Sequence, residues 1–331
     1  MDTNLNNDES RGRPVTWVKP CRMMSKALIA CLLCAAPLLA AEGPVRPRVV
    51  GLSHVALYAH DMEKSRAFYK FFLGFDEPYS VTNKDGTLRL TWIKINDRQT
   101  IEIFPEKEPG SDRLNHIALE TEDAEAMRRY LAATGLVVPA ETPIGKIGNA
   151  NFMVKDPDGH DVEIVQYLAQ GWTRREQGKF LPDTRIASRM RHAGILVGKL
   201  EPALKFYCDV LGGKETWRGG GNPKKLSWVN VKVADGDDYI EFMLYGELPA
   251  AGERGGKHHV CLEVPDVEKA KATLKQRASR INYAKPMEIQ TGINRRRQLN
   301  LWDPDGTRVE LMEPTTVDGL TAPSSTAPPP Q

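Results

Sequence analysis

Four short segments each place a histidine ahead of alternating apolar residues: Ser53-His54-Val55-Ala56-Leu57, Asn115-His116-Ile117-Ala118-Leu119, Arg191-His192-Ala193-Gly194-Ile195 and His258-His259-Val260-Cys261-Leu262. Alternation of period two marks a strand with one buried face. Downstream of each histidine a second apolar segment carries a glutamate: Glu102, Glu163, Glu241 and Glu310. The His-to-Glu separations are 48, 47, 49 and 51 residues. Spacing this regular is an internal repeat, and it limits the chain to four copies of one small supersecondary unit.

Each first strand is followed by a helix candidate opened by an acidic residue (Asp61, Asp123, Glu201, Asp266), which suits the free amides and positive end of a helix. The first and third helices end alike, in Phe68-Tyr69-Lys70-Phe71-Phe72-Leu73-Gly74 and Phe206-Tyr207-Cys208-Asp209-Val210-Leu211-Gly212, with glycine as the stop. The second and fourth units instead share the turn Asp-Pro-Asp-Gly, at Asp156–Gly159 and Asp303–Gly306, each entering its glutamate strand. The order is ABAB, a two-unit block duplicated. The expected architecture is α+β: four βαβββ modules paired into two domains, 49–168 and 190–313, with curled, cup-shaped mixed sheets. Residues 169–189 read as a linker, and 314–331, rich in Pro, Ser and Thr, as a disordered tail.

A first-strand histidine and a last-strand glutamate, both flanked by apolar residues, point from neighbouring strands into the concave face. An ionised glutamate there is costly unless it is paired or bound to a cation. A single such residue would be a hydrogen-bonded core or rim group. The matched set of His54, Glu102, His116, Glu163, His192, Glu241, His259 and Glu310 instead asks for a common cause. Two imidazoles and two carboxylates suit a divalent ion of Zn, Ni, Fe, Mn or Co, with open positions for water or substrate. The modules can pair within each half or cross, so that His54 and Glu102 join His259 and Glu310; the sequence leaves both open. His60, His160 and His258 fall outside the repeat and read as surface or loop residues, with His160 a candidate for a pocket mouth. The basic run Arg295-Arg296-Arg297 reads as a solvated loop, or more sharply as a clamp for a substrate anion.

The longest apolar run, Ala27–Ala41, follows Lys26 and ends in small residues, the pattern of a secretory signal cut near Ala41. It predicts a leader over 1–41, a secreted or periplasmic product and no membrane span in the mature chain. Cleavage would remove five basic and three acidic residues, taking the formal charge from +2 to 0. A neutral chain offers no electrostatic case for nucleic acid or anionic membrane as partner. Cys21, Cys31 and Cys34 would leave with the leader; Cys208 and Cys261 read as small buried hydrophobes.

The His-strand segments, the Asp-Pro-Asp-Gly turns with their glutamates and the Phe-Tyr-x-x-x-Leu-Gly helices resemble the vicinal oxygen chelate superfamily across roughly residues 49 to 313. That superfamily includes glyoxalase I, extradiol dioxygenases, epimerases and bleomycin-resistance proteins. The order His, Glu, His, Glu is similar to bacterial glyoxalase I. It maps His54, Glu102, His116 and Glu163, and then His192, Glu241, His259 and Glu310, onto metal positions. Four modules in one chain resemble the fused glyoxalases, implying a monomer with two sites or a dimer acting on a small molecule. For isomerase or lyase chemistry the resemblance implies a metal that grips two vicinal oxygens and stabilises an enediolate, with Glu163 or Glu310 shuttling the proton. Two features depart from glyoxalase I: its arginine four residues after the first histidine is Tyr58 here and Leu196 in the second half, and export separates the protein from most cellular glutathione. An extradiol dioxygenase would use His192, His259 and Glu310 with a further His and Tyr, but no histidine follows His259 and Tyr283 is the last tyrosine. A ligand-trapping protein without metal is the third reading.

Overall fold

A computed structural model describes residues 43–110 and 112–331. The leader, its cleavage site and three of the cysteines lie outside the described residues.

The first half contributes strands β1 (Val49–Ala59), β2 (Asp76–Thr82), β3 (Leu88–Lys94), β4 (Thr100–Pro105), β5 (Leu114–Thr121), β6 (Ala150–Lys155) and β7 (Asp161–Gln166). The second contributes β8 (Arg189–Val197), β9 (Lys214–Gly219), β10 (Trp228–Lys232), β11 (Tyr239–Leu244), β12 (His259–Glu263), β13 (Ile289–Thr291), β14 (Arg296–Trp302) and β15 (Arg308–Thr316). They form two mixed sheets, ordered β2-β3-β4-β1-β5-β7-β6 and β13-β14-β15-β12-β8-β11-β10-β9. In each, the two His strands pair antiparallel at the centre (β1 with β5, β8 with β12), and each pairs in parallel with its own Glu strand. The modules therefore pair within each half, and the crossed arrangement is not adopted.

The second module departs from βαβββ. Only β6 and β7 follow its helix, Ala124–Ala133, among the described residues. The intervening stretch holds Pro139, Pro143, Gly145 and Gly148, which cannot supply a continuous ladder of donors and packed side chains, and it makes a single isolated bridge, Ile144 to Ala150.

The two halves are one compact unit with a continuous core. Phe68 and Phe72 of the first module pack with Tyr283 of the fourth; the Phe72 and Tyr283 rings stack at 4.5 Å. Gly74 stops the first helix at φ +83° and lies so close to the Thr184 carbonyl that a Cβ would collide with it. The 169–189 segment is tied to the first half, because buried Lys94 donates to the Glu176 and Lys179 carbonyls and Ile186 N–H to the Leu73 carbonyl.

The tail is not loose, contrary to expectation. β15 runs on to Thr316, Trp217 Nε1 donates to the Pro323 carbonyl, and backbone bonds join Ser325 to Arg218 and Leu226 to Pro328. Proline-rich chain cannot extend a sheet as a full strand, but its carbonyls still accept from one.

The basic run is not a solvated loop either: Arg295 and Arg297 are paired with Asp318 and Glu313, and Arg296 and Arg297 belong to β14. His160 and His258 are buried rather than superficial. Their rings lie 5.4 Å apart edge to face, His160 Nδ1 is 2.9 Å from Asp156 Oδ2, and His258 Nε2 is 3.4 Å from Asp112 Oδ2. The carboxylates beside them, which sequence position alone does not reveal, make that burial tolerable. His60 is exposed and paired with Glu106. Cys208 and Cys261 are free thiols, and Cys261 is fully buried.

Candidate metal centres

Register places the four polar side chains of the first half around two alanines. Ala56 of β1 lies opposite Glu102 on β4 and His116 on β5; Ala118 of β5 lies opposite His54 on β1 and Glu163 on β7. Period-two alternation puts all four on one face, and the small alanines leave room above the sheet. His54 Nε2 is 2.9 Å from His116 Nε2, 3.1 Å from Glu163 Oε2 and 3.5 Å from Glu102 Oε1. His116 Nε2 is 3.0 Å from Glu163 Oε2. The group forms the floor of a cavity of about 360 Å³, walled by Tyr79, Trp92 and Phe104 and bordered by Arg89 and Lys146.

Hydrogen bonds around the floor fix the state of both rings. Tyr167 O–H donates to the Arg98 carbonyl at 2.6 Å, so its oxygen accepts from Ser53 O–H, and Ser53 Oγ in turn accepts from His54 Nδ1–H at 3.0 Å. His116 Nδ1 donates to Asn115 Oδ1 at 2.9 Å. With protons on both Nδ1 atoms, the Nε2 lone pairs of the rings, when neutral, face each other, an arrangement relieved by a proton on one ring or by a metal ion between them. Burial works against a charge on His54, but Glu102 and Glu163 outweigh it and raise its pKa. Burial raises the pKa of Glu102, whereas for Glu163 the two histidines overcome burial and hold the carboxyl well below its usual range. The donor set, two imidazole nitrogens and carboxylate oxygens all within 4.8 Å of one another for His54, His116 and Glu163, fits a divalent ion.

The second half repeats the constellation. His192 Nε2 lies 3.0 Å from His259 Nε2 and 3.4 Å from Glu310 Oε2; His259 Nε2 lies 3.3 Å from Glu241 Oε2 and 3.5 Å from Glu310 Oε2. Here the central positions are Gly194 and Cys261. Cys261 joins His192 and Glu310 in a second compact donor group, a neighbour visible only once strand register is known. Burial lowers the pKa of His192, while hydrogen bonds from the histidines overcome burial and hold Glu241 and Glu310 below the usual range. Arg308 Nη2 sits 2.6 Å from His259 Nδ1, and His192 Nδ1 has no partner among the described residues. All eight residues marked by the repeat thus gather as two sets of four. The supporting Ser53, Tyr167, Asn115 and Arg308 carried no sequence signal beyond adjacency or strand position.

The family profile described as Glyoxalase/Bleomycin resistance protein/Dioxygenase superfamily matches residues 51–164 and again 189–311. The chain belongs to this superfamily. Among curated superfamily relatives, mitochondrial methylmalonyl-CoA epimerase of Bos taurus is 34% identical over 103 residues, 28% of this chain and 56% of the epimerase. A lactoylglutathione lyase of Neisseria meningitidis serogroup A is 28% identical over 123 residues, 35% of this chain and 89% of the lyase. The match thus spans little more than half of the epimerase. Among solved structures, the Mn(II)-bound glyoxalase from Novosphingobium aromaticivorans superposes with a TM-score of 0.61 at 18% identity, covering 86% of this chain and 89% of the glyoxalase. A 2,3-dioxygenase from Pseudomonas sp. KL28 gives 0.60 at 16% identity, covering 81% and 93%. At such identities the likeness concerns the superfamily fold. The Novosphingobium glyoxalase is Mn(II)-bound, and the two His/Glu groups here have the composition for a divalent ion. No helix among the described residues is long and apolar enough to cross a membrane.

Proposed function

We propose that this protein is a metal-dependent lyase or isomerase of the glyoxalase type, working in the first cup on a small molecule with two vicinal oxygens. One observation carries the reading: two imidazoles with bare Nε2 atoms and two carboxylates converge on the floor of an aromatic-walled cavity. A divalent ion held by His54, His116, Glu163 and Glu102 would supply Lewis-acid polarisation of the substrate oxygens. Glu163, ionised and 3.0 Å from His116 Nε2, would leave the ion to take the proton from the carbon beside the carbonyl and return it to the neighbouring carbon. Tyr79, Trp92 and Phe104 exclude water from the reacting carbon, and Arg89 and Lys146 at the border suit a substrate with an acidic arm. These two cations take the place of the arginine missing at Tyr58.

A dioxygenase centred on the second cup has less support. Tyr283 is stacked on Phe72 and its hydroxyl accepts from Trp302 N–H, so the tyrosine beside that cup is Tyr239, whose ring lies 4.6 Å from that of His192, and no histidine follows His259 to complete the set. The apolar run Ala27–Ala41 supports export of the product, which N-terminal sequencing of protein recovered outside the cytoplasm tests directly.

The activity test strips the protein with chelator, reloads it with Mn, Ni, Zn or Co, and follows lactoyl thioester formation from methylglyoxal and either glutathione or a small thiol. Turnover restored by metal supports the proposal. Oxygen uptake on a catechol without thioester formation contradicts it.

A further inference from the structure

The two cups share donor atoms but not the hydrogen bonds behind them. An arginine guanidinium has five N–H donors and no acceptor, and it keeps its proton in proteins. With Arg308 Nη2 at 2.6 Å, His259 Nδ1 must therefore accept, and the proton of the neutral ring resides on Nε2. That is the atom facing Glu241, Glu310 and His192, and a protonated nitrogen has no lone pair for a metal. His116 shows the opposite state, with its Nδ1 proton directed at Asn115 Oδ1.

The difference is built in at matching positions of the register. Arg308 pairs with His259 across the parallel ladder where Asp161 pairs with His116, and the Asp161 carboxylate turns to Lys155, so only the second histidine has a cation on its Nδ1. Gly194 lies opposite His259 where Ala56 lies opposite His116. The His259 ring rests against Gly194 so closely that a Cβ would occupy the ring's own space, so this ring position is open only over glycine. Arg191 precedes His192 where Ser53 precedes His54, and His192 Nδ1 is buried without a partner among the described residues. In metal sites the outer nitrogen of a ligating histidine is held by an acceptor, and loss of such a partner typically weakens binding 10- to 100-fold.

We propose that only the first cup holds a divalent ion, and that in the second Arg308 locks His259 as a hydrogen-bond donor to Glu241 and Glu310, making that cup a metal-free polar site. The proposal rests on the metal reading of the first cup.

Co2+ titration of chelator-stripped full-length protein, read by visible absorption and calorimetry, tests both separately. The expected result is one equivalent per chain for wild type, none for His116→Ala and one for His259→Ala. Arg308→Gln, whose amide oxygen can accept the Nδ1 proton, should bind a second equivalent while circular dichroism stays unchanged. Two equivalents in wild type, or a folded Arg308→Gln protein that stays at one equivalent, overturns the proposal while leaving the first-cup reading standing, whereas loss of binding in His259→Ala puts the ion in the second cup and overturns both. No Co2+ binding in any variant overturns both.

Discussion

The Tyr207 hydroxyl donates to Asp156 Oδ2 at 3.0 Å across the seam between the halves, linking the helix end of the third module to the Asp-Pro-Asp-Gly turn of the second. The complementary bond joins Tyr69 of the first module to Asp303 of the fourth at 3.3 Å. The two motifs that distinguish odd from even modules are thus the two sides of one contact, made twice, which is why the duplicated chain is a single body. Replacing Tyr207 by Phe removes a donor from a buried carboxylate without opening a cavity. The expected cost is about 1–3 kcal/mol, seen as a lower urea midpoint with an unchanged m-value.

Asp303 gives this seam a pH dependence. Burial, with the nearby Asp305 carboxylate, pushes its pKa up to about 7 despite the backbone N–H groups of Asp305 and Thr307. A group whose folded pKa is raised binds more protons in the native state, so its contribution is complete below the unfolded value near 4 and is lost as pH rises through 7. Wild-type stability should therefore decline through this group from pH 4 to pH 7. Asp303→Asn should flatten that decline, and urea unfolding at pH 5 and pH 8 compares the two proteins. A decline of equal steepness in both would remove Asp303 as its source.

Tyr167 acts on the first cup through hydrogen bonds, since its hydroxyl orders Ser53 and through it His54. Tyr167→Phe should leave the fold intact and weaken Co2+ binding roughly 10- to 100-fold. Calorimetry measures the change, and Ser53→Ala should reproduce it.

Gly74→Ala is expected to destabilise strongly, because the residue sits at φ +83° and its Cβ would meet the Thr184 carbonyl. Strained backbone and a backbone collision together should cost at least about 2 kcal/mol, measured as a fall in the thermal midpoint. Gly86, at φ +85° with open space around it, should tolerate the same change with only the backbone penalty.

The spacing of His and Glu residues was enough to read the architecture and to name the eight residues of the two constellations, because each motif lies on a strand whose period-two pattern survives in sequence, but not to say which modules pair. What escaped depends on register. Ser53, Asn115 and Arg308 acquire their roles from the atom they happen to face, and Tyr167 lies far from its partner Ser53 in the chain. The burial of His160 and His258 follows from Asp156 and Asp112 being brought beside them. The missing strand of the second module and the docked tail reflect local competition, in one case prolines and glycines interrupting a ladder, in the other a tail whose carbonyls found strand donors.

Solvent-exchange NMR of the turnover reaction in D2O, with chelator-stripped protein reloaded with one equivalent of metal, tests the central claim most directly. The expected result is that the product carbon keeps most of the substrate's own hydrogen with little deuterium uptake, that Glu163→Gln loses about 100-fold or more in rate, and that Glu310→Gln turns over near the wild-type rate. Full activity in a folded Glu163→Gln protein, or a rate that falls with Glu310→Gln instead, would contradict the placement of proton transfer in the first cup.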